Sequence, residues 1–596
     1  MSNLTDLIHP DTAKHLPGLF RERVKRSPDK TAYRYFDKAS SKWLQYSWAQ
    51  VQLKVSQIQQ ALIKQNLTTG QRVAIMSHNC PEWMMFEQAA LGLGLVVVPL
   101  YPNDRADNIS YIIKDACIEA ILVAGTEQCC TLESIKNEIQ NVKLIVTLQP
   151  EILKHDNIYD FDSWIDHKQE NHYTCDNIDS DQVASIVYTS GTTGRPKGVM
   201  LSHNNILQNA YSSSQCESFF PNDIFLSFLP LSHMFERTVG YYLPMLSASE
   251  VVYARSIDKL AEDLTVIKPT ILVTVPRIFE RVYNKIQIQL EQKPKISKLL
   301  FDLTVNVGWH WFLYSQNRIN WHPKLLLRPL LYSIVSKKIL NKLGGRLRLA
   351  ISGGAALSPD IAKTFIGLGL SISQGYGMTE LSPVVCTNLL HDNEPASVGQ
   401  KLHNVDVKLG EEDELLVKGP SVMLGYLNNK KATDEAIDKD GWLHTGDKAK
   451  IVNDHIYITG RIKDILVLSN GEKVPPNDIE MAITNDPLFE QAIVYGESKP
   501  FLCAITVINK EEWPVAQKEI SPTPVDINST EAHKYLLNRI KQCLHNFPGY
   551  ARIYRIYNTS EPWTVENGLA TPTLKLKRKY IFEKYNSQIS KIYEGH

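Results

Sequence analysis

Residues 188–199 read Tyr-Thr-Ser-Gly-Thr-Thr-Gly-Arg-Pro-Lys-Gly-Val: small hydroxylated residues, glycines at 191, 194 and 198, and one lysine, Lys197. Glycine lets a backbone turn sharply and come close to a ligand. Successive N–H groups, hydroxyls and an ammonium together cradle phosphate oxygens. Thr189, Ser190, Gly191, Thr192, Thr193, Gly194 and Lys197 are therefore the expected phosphate contacts. The Gly-Lys-Ser/Thr order of the nucleotide P-loop is absent, so this is a phosphate loop of another kind. A merely flexible polar loop is the plainer reading.

Gly375-Tyr-Gly-Met-Thr-Glu380 is a second such place. Tyr376 offers a flat face for a base to stack on. Thr379 can reach a phosphate oxygen, and Glu380 supplies a hard oxygen for Mg²⁺, which binds through few carboxylates plus substrate phosphates. The plainer alternative is a glycine-rich turn with a surface glutamate. His233, in Leu229-Pro-Leu-Ser-His-Met-Phe-Glu-Arg237, could equally be a core histidine among apolar neighbours. Asp447, in Gly441-Trp-Leu-His-Thr-Gly-Asp447, is a short acceptor pair suited to vicinal ribose hydroxyls, with Arg461 a second nucleotide contact. Lys575 lies in Leu569-Ala-Thr-Pro-Thr-Leu-Lys-Leu-Lys-Arg578, where Lys577, Arg578 and Lys579 also allow a solvated basic tail.

These residues must be held by a scaffold, and the apolar pattern describes one. Ala184–Tyr188 reads as a short buried strand feeding the phosphate loop. Arg72–Met76, Leu95–Pro99, Ala120–Ala124 and Val142–Val146 read as further strands, with a helix over Pro81–Leu93. This Rossmann-like βαβ succession, without a dinucleotide glycine fingerprint, predicts an α/β fold. Arg346–Ser352 predicts a strand running into Gly353-Gly354. Ser358 is expected to cap a helix begun by Pro359, and Leu370–Gln374 predicts the next strand. Ligands in open α/β sheets lie beyond the carboxyl ends of strands, so Gly353, Gly354, Gln374, Gly375, Tyr376 and Gly377 join the expected nucleotide contacts. After about residue 460 the pattern changes. Asn470-Gly471 is a hairpin signal, and helix and strand signals follow, as in a separate, smaller α+β domain. The expected division is 1–460 and 461–596.

The chain has 596 residues, too many for one ordinary core. Its formal net charge of zero supplies no global field that would draw it to nucleic acid. Nine scattered cysteines without metal-ligand spacing suit reduced thiols in a cytoplasmic protein. Neither a signal peptide nor an apolar run long enough to span a bilayer is evident.

Taken in order, five blocks resemble the adenylate-forming superfamily of acyl-CoA synthetases, luciferases and nonribosomal peptide adenylation domains. They are the 188–199 loop, the His233 block, Gly375–Glu380, Gly441–Asp447 and Leu569–Arg578. The wording Pro-Leu-Ser-His-x-Phe-Glu-Arg is similar to the long-chain fatty acyl-CoA synthetase branch. The resemblance implies a large N-terminal domain and a mobile C-terminal one with a hinge near Lys463, where Gly-Arg-Ile-Lys-Asp replaces the commoner Gly-Arg-x-Asp-Asp. It implies ATP, Mg²⁺ and coenzyme A as ligands, and formation of an acyl-AMP from a carboxylate. His233 then lines the carboxylate pocket, Glu380 and Thr193 serve the metal, and Asp447 and Arg461 hold the nucleotide. Lys575 becomes the catalytic lysine, and Gly471 falls in the loop that accompanies coenzyme A.

A segment at about 285–346 mixes Trp309, Trp311, Phe312, Tyr314, Trp321 and Leu325–Leu331 with Lys and Arg. Its only acids are Glu291 and Asp302. Basic, aromatic and aliphatic residues interleaved at helical spacing suit an interfacial helix on the inner face of a membrane. An amphipathic insertion packed on its own protein fits as well. A similar insertion occurs in long-chain synthetases, which points to a long-chain fatty acid. An acyl carrier protein in place of coenzyme A, or a catalytically silent lipid-binding relative, are the other readings.

Overall fold

The computed structural model describes residues 5–149, 158–167, 173–189, 195–545, 547–571 and 575–594. A large N-terminal α/β region precedes a smaller α+β region. The continuous apolar runs became the buried strands Arg72–Met76, Val96–Pro99, Ile118–Val123 and Leu144–Thr147. They pair in parallel, and Val183–Thr189 joins them beside Val96–Pro99. Parallel strands need a crossover, and Pro81–Gly92 supplies one, buried at every position but Glu82. Lys197–Ser202 folds back antiparallel on Val183–Thr189, placing Thr189 opposite Lys197. Gly425–Tyr426 closes that edge by pairing with Met200 and Val199.

A second large sheet carries Leu349–Ser352 and Ile372–Gly377 side by side and parallel, with Ser352 opposite Gln374. Their carboxyl ends therefore deliver Gly353-Gly354 and Gly375-Tyr376 to one place. A third sheet contains Leu443–Val452 and His455–Arg461, in which Asp447 faces Arg461 directly.

In the C-terminal region, Phe489–Tyr495, Leu502–Ile508 and Ile553–Thr559 form a three-stranded sheet. Leu502–Ile508 is buried throughout because both faces are covered. Ile479, Leu536 and Ile540 pack on one face, and Ile581 and Ile589 on the other. The expected hairpin forms between Leu466–Val467 and Lys473–Val474, through a loop longer than the two residues Asn470-Gly471. Ser358 stands at the N-cap of Pro359–Gly367 but makes no capping hydrogen bond. Its hydroxyl instead accepts from the Asn485 side chain of the smaller region at 3.3 Å.

The basic, aromatic segment forms the helix Lys295–Ser315 and shorter turns after it. One face packs on Pro359–Gly367, where the backbones approach so closely that a Cβ at Gly308 would stand 1.8 Å from the Gly367 carbonyl oxygen. Elsewhere Ile296, Leu299, Leu326 and Leu330 are 60–75% exposed.

A buried ion pair fixes the His233 block to the phosphate strand. Arg237 lies on the π-helical run Glu236–Tyr242 and meets Glu87 at 2.5 Å, both side chains fully buried. Arg237 also donates to the Ser185 hydroxyl on the strand Val183–Thr189, and Tyr242 donates to Glu87. Breaking one member of a buried pair costs about 3–5 kcal/mol, whereas removing both with apolar replacements can be near neutral. Arg237→Met should therefore lower the chemical-denaturation midpoint sharply, and adding the apolar Glu87→Met should restore most of it. Equal midpoints for wild type and Arg237→Met would contradict this.

Candidate active site

The strand ends converge on a cavity of about 620 Å³. Thr189, Lys197, His233, Gly353, Gly354, Gly375, Tyr376, Gly377, Thr379, Glu380, Arg461 and Lys575 all line it. Ser190, Gly191, Thr192, Thr193 and Gly194 lie outside the described residues. Gln374 is buried beneath the lining rather than in it, and its side-chain oxygen has no hydrogen-bond partner. Gly471 is not among the lining residues; it occupies an exposed turn at φ 85°, a conformation that glycine adopts without strain.

Tyr426, which the sequence reading did not single out, joins the phosphate strand to the Glu380 turn. The Lys197 ammonium sits 4.7 Å from the centre of the Tyr426 ring, an attraction to the ring's negative face. The Tyr426 hydroxyl donates to Glu380 Oε1 at 2.9 Å. Burial first, and then the Glu380 charge, raise the Tyr426 phenol above its ordinary range, so it remains a donor. The Glu380 backbone is pinned as well, its carbonyl accepting from the Met423 N–H at 2.9 Å. Lys197 forms no ion pair among the described residues, and Tyr426 touches both it and Glu380.

A second polar group lies at the ends of the paired strands. Arg461 Nε donates to Asp447 Oδ1 at 2.8 Å, and the Tyr376 hydroxyl donates to Asp447 Oδ2 at 2.6 Å. Burial and then Asp447 push the Tyr376 phenol well up, so it too stays protonated. Asp447 thus holds both a cation and the tyrosine whose ring was expected to stack on a base.

Lys575 comes from the C-terminal region on a short hairpin. Ala570 bridges Leu576, the Lys575 N–H donates to the Thr571 hydroxyl, and the Thr571 N–H donates to the Lys575 carbonyl. Burial and the Arg461 charge draw the Lys575 ammonium downward, while Asp447 and Glu380 oppose them. Its side chain is enclosed by protein yet open to the water of the cavity, which limits that pull. Lys577 also lines the cavity, but its ammonium lies over its neighbour Tyr580, at 5.7 Å. Burial, and then the Lys575 charge, push His233 down to about 4, so its imidazole is neutral at neutral pH. Its Nδ1 accepts from the Phe235 N–H at 3.3 Å.

Beyond His233 the cavity turns apolar, with Phe219, Phe235, Val239, Leu243, Ile351 and Val384 on its walls. Gly353 is needed here, since a Cβ would stand 2.8 Å from the Phe235 ring. The lining therefore combines cations that suit phosphates, set among Glu380, Glu414 and Glu435, with apolar side chains that suit an aliphatic chain.

Tyr426→Phe keeps the ring beneath Lys197 and deletes only the hydroxyl on Glu380. A hydrogen bond to a charged group is worth about 1.5–3 kcal/mol, so the affinity for ATP should fall about tenfold or more by calorimetric titration. An unchanged affinity would remove Tyr426 from the site.

The AMP-binding enzyme family matches residues 20–427, and its C-terminal domain matches residues 463–596. Long chain acyl-CoA synthetase 7, peroxisomal, of Arabidopsis thaliana is 30% identical over 92% of this chain and 82% of that protein. The long-chain-fatty-acid–[acyl-carrier-protein] ligase AEE15, chloroplastic, of the same plant is 27% identical over 97% of this chain and 87% of that protein. Among solved structures, the anthranilate CoA ligase AuaEII in complex with anthranoyl-AMP superposes with a TM-score of 0.74 at 18% identity. That superposition covers 99% of this chain and all of the other. With both of its regions matched in order, the chain belongs to the AMP-binding enzyme family.

Proposed function

We propose that this chain activates a long-chain fatty acid in two steps. The carboxylate attacks the α-phosphorus of ATP, forming acyl-AMP as the bond to pyrophosphate breaks. The thiol of coenzyme A then attacks the acyl carbonyl, forming the thioester and releasing AMP. The observation that supports this reading is one cavity lined both by Lys197 and Lys575 and by the apolar side chains of Phe219, Phe235, Val239, Leu243 and Ile351.

The first step brings an anionic carboxylate against a polyanion, so its barrier is mainly electrostatic. Lys197 and the 189–194 loop hold the pyrophosphate side. Lys575 sits between the carboxylate and the α-phosphate, contributing its charge without transferring a proton. His233, neutral, lines the carboxylate pocket and adds no charge of its own. Asp447 takes the ribose hydroxyls beside Arg461, and Tyr376 faces the base. Glu380 fits a Mg²⁺ that arrives with ATP: it presents a single carboxylate, and no cluster of three or more metal-ligating side chains occurs among the described residues. Bound there, with Thr193, the ion would offset phosphate charge.

In the second step the thiol needs access that Lys575 obstructs. A division at 460/461 with a hinge near Lys463 would let the smaller domain rotate and withdraw Lys575, gating the two steps. Gly471 would then travel with the loop that accompanies coenzyme A. No helix among the described residues is long and apolar enough to cross a membrane. The exposed Ile296, Leu299, Leu326 and Leu330, set among lysines, suit peripheral contact with the inner face of a bilayer.

The AEE15 relative motivates the second reading, transfer to an acyl carrier protein. AMP release from palmitate and ATP, measured with and without coenzyme A, separates them: stimulation by coenzyme A is expected. No stimulation, with turnover on an acyl carrier protein, would favour the second reading, and absent ATP–pyrophosphate exchange a silent lipid-binding relative. In the same assays Lys575→Ala should cripple adenylate formation far more than thioester formation from supplied acyl-AMP. Equal loss in both steps would move the catalytic lysine elsewhere.

A further inference from the structure

A second cavity, of about 180 Å³, lies between the helix Lys295–Ser315, the run Arg328–Ser336 and residues 366–372. Val307, Phe312, Leu331, Ile366, Leu370 and Ile372 give it an apolar part, beside the polar side chains of Thr304, Ser315, Gln316 and Asn393. Trp311 and Tyr332, 39% and 41% exposed, stand at its edge. Arg328 also lines it, half-buried, with its guanidinium 4.6 Å from the centre of the Trp311 ring. Arg328 forms no ion pair among the described residues, and the surrounding segment 285–346 contains only two acids, Glu291 and Asp302. A partly desolvated arginine with no carboxylate, above a hole whose wall is partly apolar, is complementary to an anion that carries a hydrocarbon chain. Leu326, Leu327 and Leu330, 44–73% exposed, extend the apolar surface outward.

Two features set this cavity against the catalytic one. Ile372 lines the first and Ser373 the second, and successive side chains of a strand point to opposite faces. Leu390 lines the first, and its N–H donates at 2.5 Å to the carboxylate of Glu217, which lines the second. One strand and one hydrogen bond therefore separate the two spaces.

We propose that this cavity is a second binding site for a free fatty carboxylate, with the anion on Arg328 and the first part of its chain among Val307, Leu331 and Ile372. The site rests on the fatty-acid reading above and adds a place where the acid waits beside the catalytic cavity. An anionic phospholipid offers similar chemistry, but the limited volume favours a single chain.

Photolabelling with a diazirine-bearing palmitate, followed by peptide mapping, tests it on the full chain. Wild type should be labelled both in the catalytic arm (residues 213–243) and around the second cavity (residues 304–316 and 328–336). Arg328→Gln should lose the second set and keep the first, Arg328→Lys should retain both, and the diazirine alcohol of equal length should miss the second set. Octanoate adenylation should be unchanged in Arg328→Gln, showing that the fold survives. Labelling of the catalytic arm alone, or a second set indifferent to Arg328→Gln, overturns the proposal. So does labelling of the second set by a diazirine phosphatidylglycerol in vesicles but not by the palmitate probe. Absence of label at both places would instead count against the fatty-acid reading itself.

Discussion

The Tyr426 side chain keeps Lys197 and Glu380 close without letting them neutralise each other. A lysine and a glutamate brought together at a cavity wall would form an ion pair, leaving neither available to a ligand. Here the ring face takes the ammonium at 4.7 Å, and the hydroxyl takes one carboxylate oxygen at 2.9 Å. The cation remains open to phosphate, and the carboxylate remains open to a metal that travels with it. Asp447 presents the contrasting case: it is already paired with Arg461 and Tyr376, so that group is preorganised and firmly placed. The cavity thus combines one closed polar group, which fixes geometry, with open charges that do electrostatic work.

Distant stretches of chain meet here because of how sheets end. Parallel strands point their carboxyl ends the same way, so Gly353-Gly354 and Gly375-Tyr376 arrive together. The phosphate strand comes from a different sheet, tied to the His233 block by Arg237 and Glu87. Lys575 comes from the smaller region, so the positive end of the cavity is completed only when that region is seated. Such an arrangement suits a reaction whose second step needs the lysine out of the way.

Much of this was legible in the residue order. Continuous apolar runs such as Arg72–Met76 marked buried strands, and the apolar run Ala184–Tyr188 marked the strand that delivers Thr189 to the cavity. Local signals were weaker where tertiary contacts decided the outcome. Ser358 occupies the cap position, yet its hydroxyl serves Asn485 across the two regions. Tyr426 escaped notice because its role depends on a two-residue strand paired with residues more than 200 positions away. Nothing local distinguishes it from an ordinary edge tyrosine. The segment 285–346 suggested two outcomes, and the structure contains features of both: one face packs on Pro359–Gly367, and other residues stay exposed. Lys575 and Lys577 are inseparable by charge alone, and both line the cavity, with the Lys577 ammonium over the Tyr580 ring.

The central claim is that open charges from both regions gather around one triphosphate while an acid's chain lies along the apolar arm. A crystal structure with a non-hydrolysable palmitoyl-adenylate analogue tests it most directly. The account predicts the ribose on Asp447, the phosphate mimic within contact of Lys575, and the aliphatic chain running past His233 toward Phe219. An analogue bound with its phosphate mimic remote from Lys575, or with its chain outside that arm, would contradict it.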